Sequence, residues 1–236
     1  MTRAAHAAAA LAALALAIAP ARSYGQDTLP RVQVTATREG PRAPLELPYA
    51  VTVTAPDPLA ALRRAGVDEL LFAIPGVALA NRQNPAQDPR VSIRGFGSRS
   101  AFGVRGVRVL QDGVPVTLPD GQTPVDALDL EGAQAVEVVR GSASSLYGNA
   151  AGGVIDVRSL RPTSMLAPYA RIVGGGSLPT ITSTGVSGMF GALGATSSLT
   201  RVVGRGYRAY SDQRATRGAV RMSLAPVTLA VRVSDV

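Results

Sequence analysis

The stretch Leu146-Tyr147-Gly148-Asn149-Ala150-Ala151-Gly152-Gly153-Val154-Ile155-Asp156-Val157 decides the fold of the first domain. It reads as a helical turn that runs into a glycine-rich corner and leaves as an apolar strand ending at Arg158. Gly148 to Gly153 has the glycine density of a phosphate-cradling loop but lacks the Lys-Ser/Thr pair and opens no dinucleotide-binding unit. A tight backbone turn is the better reading. Just upstream, Val136-Glu137-Val138-Val139-Arg140 is a second strand that stops at Gly141.

Further upstream, Val107-Arg108-Val109-Leu110 and Val114-Pro115-Val116 flank Gln111-Asp112-Gly113, and Asp-Gly between apolar runs is the strongest short-range hairpin signal. Val91-Ser92-Ile93-Arg94 alternates and stops at Gly95-Phe96-Gly97, a strand ending in a loop. Leu59 to Ile74 offers short helical pieces, the second starting near Asp68-Glu69 with acids in its first turn and stopping before Pro75-Gly76. Residues 59–160 are therefore expected to form a compact α+β domain, a mixed sheet of four to five strands with short helices.

Beyond Pro168 the texture changes to Gly/Ser/Thr-rich alternating segments without helical periodicity. Val227, Leu229, Val231 and Val233 share one face while Thr228, Ala230, Arg232 and Ser234 share the other. A membrane-spanning β-strand and a strand of a soluble sandwich both read this way, and the pattern leaves the two open. On the N-terminal side, prolines at 30, 41, 44, 48, 56 and 58 make residues 26–58 an extended segment. Within it Val32-Gln33-Val34-Thr35 alternates as an edge strand does, and Ala50-Val51-Thr52-Val53-Thr54 repeats the pattern. Residues 1–25 carry the three parts of a secretory signal: Arg3, the apolar run Ala7 to Ala19, and the small-residue site Ala19-Pro20-Ala21, with Ser23-Tyr24-Gly25 as a second usable site. The run falls short of the roughly 20 residues that a transmembrane helix needs.

Composition excludes several chemistries. There is no Cys, and the one His, His6, lies in the signal, so no disulfide and no Cys/His metal site is expected, and no cofactor. Without His or Cys no nucleophile and base can be paired, which argues against an enzyme. The net charge of +8 rests on scattered arginines without aromatic interleaving, which argues against nucleic acid as a partner. Asp112, Asp120, Asp126 and Asp129 are irregularly spaced, and Asp112 and Asp120 each precede Gly, which is turn chemistry rather than a calcium or paired-carboxylate site.

Taken in order, the motifs resemble the TonB-dependent outer-membrane receptors over roughly Asp27 to Arg158. They are Asp27-Thr28-Leu29 with Val32-Gln33-Val34-Thr35-Ala36, then Ile74-Pro75-Gly76-Val77, Ile93-Arg94-Gly95, Val109-Leu110-Gln111-Asp112-Gly113-Val114-Pro115, Val138-Val139-Arg140-Gly141, and the opening stretch itself. Phe102-Gly103-Val104-Arg105-Gly106 through Asp120-Gly121-Gln122-Thr123 looks most like plugs of ferric-citrate-type and other iron-chelate receptors. The resemblance implies a plug domain followed by the start of a transmembrane antiparallel β-barrel, in the outer membrane of a Gram-negative bacterium and in contact with its lipid.

It also implies roles. Asp27, Thr28, Leu29, Val32, Val34 and Thr35 would be the box that a TonB-type periplasmic coupling protein captures by β-augmentation, with Pro30 removing one N–H donor. Arg94 and Arg140, each at a strand end before Gly, together with Glu137 on the opposite face from Arg140, would form a plug–barrel latch of the kind in which plug arginines meet barrel carboxylates. Phe96, Gly97, Ser98, Arg99 and Phe102 would take part in holding an anionic ferric siderophore or other iron chelate. Residues 166–236 leave room for five or six strands against about 22 in a plugged transporter, and Val236 is not the aromatic end usual in the family. The chain is expected to be the front of a longer receptor. The rivals are a periplasmic binding or signalling module with a sandwich tail, and a non-functional truncated receptor; an importer of sugar polymers or cobalamin would differ only in cargo.

Overall fold

Turn chemistry sets the strand boundaries. In the computed structural model, which describes residues 34, 43–54, 66–80, 88–101, 103–125, 128–175, 178–205 and 212–235, Asp112 and Gly113 both adopt left-handed backbone (φ 55° and 78°). Two successive positive φ values define the hairpin turn whose twist matches its strands, and it joins β4 (Val107–Gln111) to β5 (Val114–Pro115). The corner Gly148 to Gly153 likewise connects α2 (Ser144–Tyr147) to β7 (Gly153–Ser159). Gly153 has φ 139°, and a Cβ there would sit 2.2 Å from the Val139 carbonyl oxygen, so only glycine fits.

The plug sheet has the order β1-β6-β7-β4-β5, with β1 spanning Ala50–Thr54 and β6 Ala133–Arg140. All neighbours are antiparallel except β4 and β7, which run parallel. Apart from it, β2 (Val77–Ala80) pairs β3 (Arg90–Ile93), and α1 (Val67–Leu71) leads into the Pro75-Gly76 turn. Period-two alternation gives the sheet two faces. One carries Val107, Val109, Val136, Val138, Ile155 and Val157 into the main core with α1 and β3. The other is apolar at one end, where Leu110, Val139 and Val154 meet Ala143, Tyr147 and Ala150. At the other end Glu137 and Asp156 occupy its buried positions.

Two elements differ from the sequence expectation. The stretch 50–54 has the alternation of an edge strand and is one, but the structure makes it the edge of the plug sheet rather than part of the extended segment 26–58, because β6 offers it a free ladder from Val136 to Arg140. The strand at 77–80 was not anticipated; its partner is β3.

The second sheet is a meander, β12-β11-β10-β9-β8, every neighbour antiparallel and sequential: β8 Ala167–Gly175, β9 Leu178–Phe190, β10 Leu193–Gly204, β11 Gln213–Leu224 and β12 Val227–Asp235. Its inward face carries Ser183, Ser187, Ser198, Thr200, Arg217 and Arg221, and its outward face exposes Ile172, Leu199, Val220, Met222, Leu229 and Val231. Among the described residues nothing covers that apolar face, as a second sheet of a sandwich would. Two-residue turns at 191–192 and 225–226 close one end, and residues 205–212 join β10 to β11 at the other. All described residues belong to the compact unit Val32–Val236.

Candidate functional site

Of the coupling residues, only Val34 is among those described. It is fully buried and makes an isolated β-bridge. Asp27, Thr28, Leu29, Val32 and Thr35 lie outside the described residues, as do the signal at 1–25 and Phe102.

The plug sheet presents two ends, and the expected residues gather at one of them. There β6 finishes, β7 begins, and Arg140 pairs across the ladder with Ala50 and Gly153. The Arg140 guanidinium donates to three acceptors at this end: the Ala50 carbonyl (3.4 Å), the Thr52 hydroxyl (2.9 Å) and the Pro75 carbonyl (2.6 Å). It thereby ties the edge strand to the turn after α1. Arg94, with φ 50°, stands beside it: a Cβ on Gly76 would lie 3.6 Å from Arg140 Cδ and 4.0 Å from Arg94 Cγ. The structure thus brings the two latch arginines together around Gly76. Glu137 is on the opposite face, as alternation requires, and is buried against Arg158 Nε at 3.5 Å. Ala50, Thr52, Pro75 and Arg158 all belong to the plug, so these contacts of Arg140 and Glu137 are made within the plug rather than to the wall.

The loop after β3 lies at the same end. Phe96 is half exposed, and its Cβ comes within 2.6 Å of where a Gly152 Cβ would sit. Gly97 (φ 88°) serves the backbone: a Cβ would meet the carbonyl oxygens of Val91 at 2.6 Å and Arg105 at 2.9 Å. Ser98 Oγ donates to the Gly95 carbonyl at 2.6 Å, which holds the turn. Phe96, Ser98 and Arg99 are left exposed as a compact polar and aromatic tip.

The opposite end, where β4 and β7 finish and β6 begins, carries a polar seam. Asp156 accepts from Gly113 N–H (3.2 Å) and from Arg158 (3.1 Å). Burial pushes its carboxyl up to about 6, against the pull of Arg158 and the Gly113 N–H, with the charges of Glu137 and Asp112 acting in the same direction as burial. Asp112 accepts from Ser159 N–H (2.9 Å) and its hydroxyl (2.6 Å). Buried Gln111 donates to Ser159 Oγ (3.3 Å) and accepts from Asp129 N–H (3.1 Å).

From this seam the plug reaches the wall. Glu131 pairs with Arg171 on β8, and Ser198 on β10 donates to Asp129 (3.2 Å). Asp112 faces Arg221 on β11 at 3.5 Å and Arg232 on β12 at 4.0 Å. Sequence reasoning assigned Asp112 to a turn, set Asp129 aside as irregularly spaced, and gave Glu131 no role. The turn reading of Asp112 holds, but its partners stand more than a hundred residues away, and no local signal points to them.

Residues 43–154 match the family model described as TonB-dependent Receptor Plug Domain. The pesticin receptor of Yersinia enterocolitica is 30% identical over 161 residues, 67% of this chain and 22% of that protein. The hemin receptor of the same species is 33% identical over 138 residues, 57% of this chain and 19% of that protein. Among solved structures, the ferric yersiniabactin uptake receptor of Yersinia pestis superposes with a TM-score of 0.62 at 26% identity, over 79% of this chain and 31% of that one. The chain thus spans about a fifth of the length of these curated relatives, all of them receptors rather than enzymes.

Proposed function

With a plug domain at residues 43–154 the chain belongs to the TonB-dependent receptors, and from that premise we propose that it is the front of an outer-membrane transporter that imports an iron chelate. The observation that carries the reading is a plug sheet seated through Asp112, Asp129 and Glu131 on a meander whose other face is bare and apolar. Such a face suits lipid, and the strands of 9 to 13 residues are long enough to cross. Two relatives bear names that speak of a ferric siderophore and of hemin. Iron held in an organic chelate is what those cargoes share, and it is the cargo class we assign to this receptor.

In this reading residues 1–25 direct export, the part of 26–58 that precedes the plug couples the receptor to its energy source, β1 and 59–160 form the plug, and 161–236 begin the barrel. Asp27, Thr28, Leu29, Val32, Val34 and Thr35 pair with a TonB-type periplasmic protein by adding a strand to its sheet. Because Val34 is buried at rest, the pairing takes hold upstream of it or draws it out. Arg94 and Arg140 face wall carboxylates of later strands, and Phe96, Gly97, Ser98 and Arg99 of the tip, together with Phe102, supply the plug's share of chelate contacts, Arg to its anionic groups and Phe to its organic part.

The test is radio-iron uptake by an iron-starved Gram-negative host that lacks its own ferric-chelate receptors and carries the complete reading frame. Ferric citrate, a ferric siderophore and hemin are offered in turn. One of them should be accumulated, and Val32→Pro, which breaks strand pairing at the box, should abolish accumulation while leaving surface binding intact. Binding of none of the three, or uptake indifferent to Val32→Pro, would overturn the proposal.

A further inference from the structure

The described contacts between plug and wall have a polarity of their own: the acids are on the plug and the cations on the wall. Glu131 meets Arg171 of β8, and Asp112 meets both Arg221 of β11 and Arg232 of β12. These acids stand at the end of the sheet remote from Arg94 and Arg140. We propose that Asp112 is the positioning residue that docks the plug on the wall, a latch of opposite sign and opposite place to the one built on the two arginines.

Three observations support it. First, the residue type is not dictated by the turn. Asn-Gly closes the same two-residue hairpin as well as Asp-Gly does, so turn geometry leaves the charge of Asp112 unexplained and the facing guanidinium groups account for it. Second, Asp112 is braced for the task. Ser159 holds both of its carboxylate oxygens, through its N–H at 2.9 Å and its hydroxyl at 2.6 Å, and so aims the carboxylate from a strand end already fixed in the sheet. Third, the pairs themselves are loose. Charge-assisted bonds in a tight fork run at about 2.7–2.9 Å, whereas those of Asp112 to the wall measure 3.5 and 4.0 Å, and Arg221 Nε is buried without a hydrogen-bond partner. A contact held at such lengths keeps the hairpin in register with two adjacent strands yet yields without a large barrier.

The proposal rests on the reading of this chain as plug and wall of one receptor. Its test measures docking and needs no cargo, so failure of the docking residue and failure of the cargo assignment are read separately. In the complete receptor in outer-membrane vesicles, amide hydrogen exchange is followed across 107–116 and 159–166 for the wild type, Asp112→Asn, the pair Arg221→Gln/Arg232→Gln, and the three changes combined. Asn keeps the left-handed turn and the Ser159 N–H bond but replaces the oxygen that accepts from the Ser159 hydroxyl, so the arginine pair is the decisive variant: it leaves Ser159 untouched, and a purely structural role of Asp112 predicts no change in it. Docking predicts exchange faster by roughly two- to fivefold, the upper part of the span for a partly exposed ion pair. The triple variant should be no faster than either parent, and added salt should speed the wild type while leaving Asp112→Asn unchanged. Wild-type exchange in Asp112→Asn or in the arginine pair, or effects that simply multiply in the triple variant, would overturn the assignment.

Discussion

The plug sheet and the wall sheet each have five strands and the same period of two, yet they solve different problems. Along β6 the burial runs almost unbroken from Val136 to Val139, and β7 is buried from Gly153 to Val157, so both faces of the plug sheet are covered. Along β11 half-buried and exposed positions alternate on either side of Gly218, and none is fully buried. A strand covered on both sides tolerates a charge only with partners, which is why Glu137 and Asp156 share Arg158. A strand facing the plug on one side can be polar there without such company, and the wall's inward face is largely hydroxyls and arginines. Alternation alone therefore says that a strand has two sides. What each side touches has to come from elsewhere.

Glycine offers the sharpest way to break that contrast. Gly153→Ala puts a methyl group 2.2 Å from a carbonyl oxygen at a positive φ, and should cost roughly 3–5 kcal/mol and loosen the β6–β7 ladder. Gly218→Ala on the wall meets only Leu199 Cδ1, at 3.9 Å, and should stay within about 0.5 kcal/mol. Denaturant midpoints of the two variants decide it; equal costs would mean that the sheets are packed alike. A smaller effect probes the wall's outer face. Val220→Arg should cost about 2–4 kcal/mol for folding into a bilayer, and much less in a short-chain detergent. A penalty absent from both would return the meander to the soluble sandwich.

The smallest effect is one of pH and belongs to the plug alone. Asp156 holds its proton up to about 6 when folded, against an ordinary 3.8. Between those values the folded protein binds more protons than the unfolded chain, so stability falls as pH rises, and it levels off above about 6. The stability fully present below 3.8 is thus lost through that window, by an amount of order 2 kcal/mol. Asp156→Asn should flatten the slope and raise stability at pH 8 relative to wild type, read from urea unfolding at pH 4, 6 and 8. An unchanged slope would mean that Arg158 and Gly113 outweigh burial.

What could be read in the sequence was local. Asp112-Gly113, the corner Gly148 to Gly153, the helical turn at Ser144–Tyr147 and the alternation of Val227 to Val233 all act within a few residues, and each fell where the structure has it. Mixed pairing was expected, but not which strands would pair: nothing in Ala50–Thr54 points to Val136–Arg140, and nothing in Val107 points to a parallel partner at Gly153. The candidate site divided in the same way. Arg94 and Arg140 stood out because each ends a strand before Gly, and the structure brings them to one place. The wall partners of Asp112 and Glu131 were beyond reach because a carboxylate in a turn looks the same whether it faces water or a guanidinium.

The order of pairing bears on how the chain folds. Each wall strand needs only its chain neighbour, and the turns at 191–192 and 225–226 are two residues long, so the wall can zip from hairpin to hairpin at small entropic cost for each closure. The plug sheet has no such route. Its parallel pair β4 and β7 encloses β6, and β1 reaches Arg140 across 90 residues of chain. Long-range closures of this kind slow folding because the entropy is lost before any contact forms. Since β6 must already stand in the sheet to offer its ladder, β1 is the first strand to be synthesised and among the last to find its place.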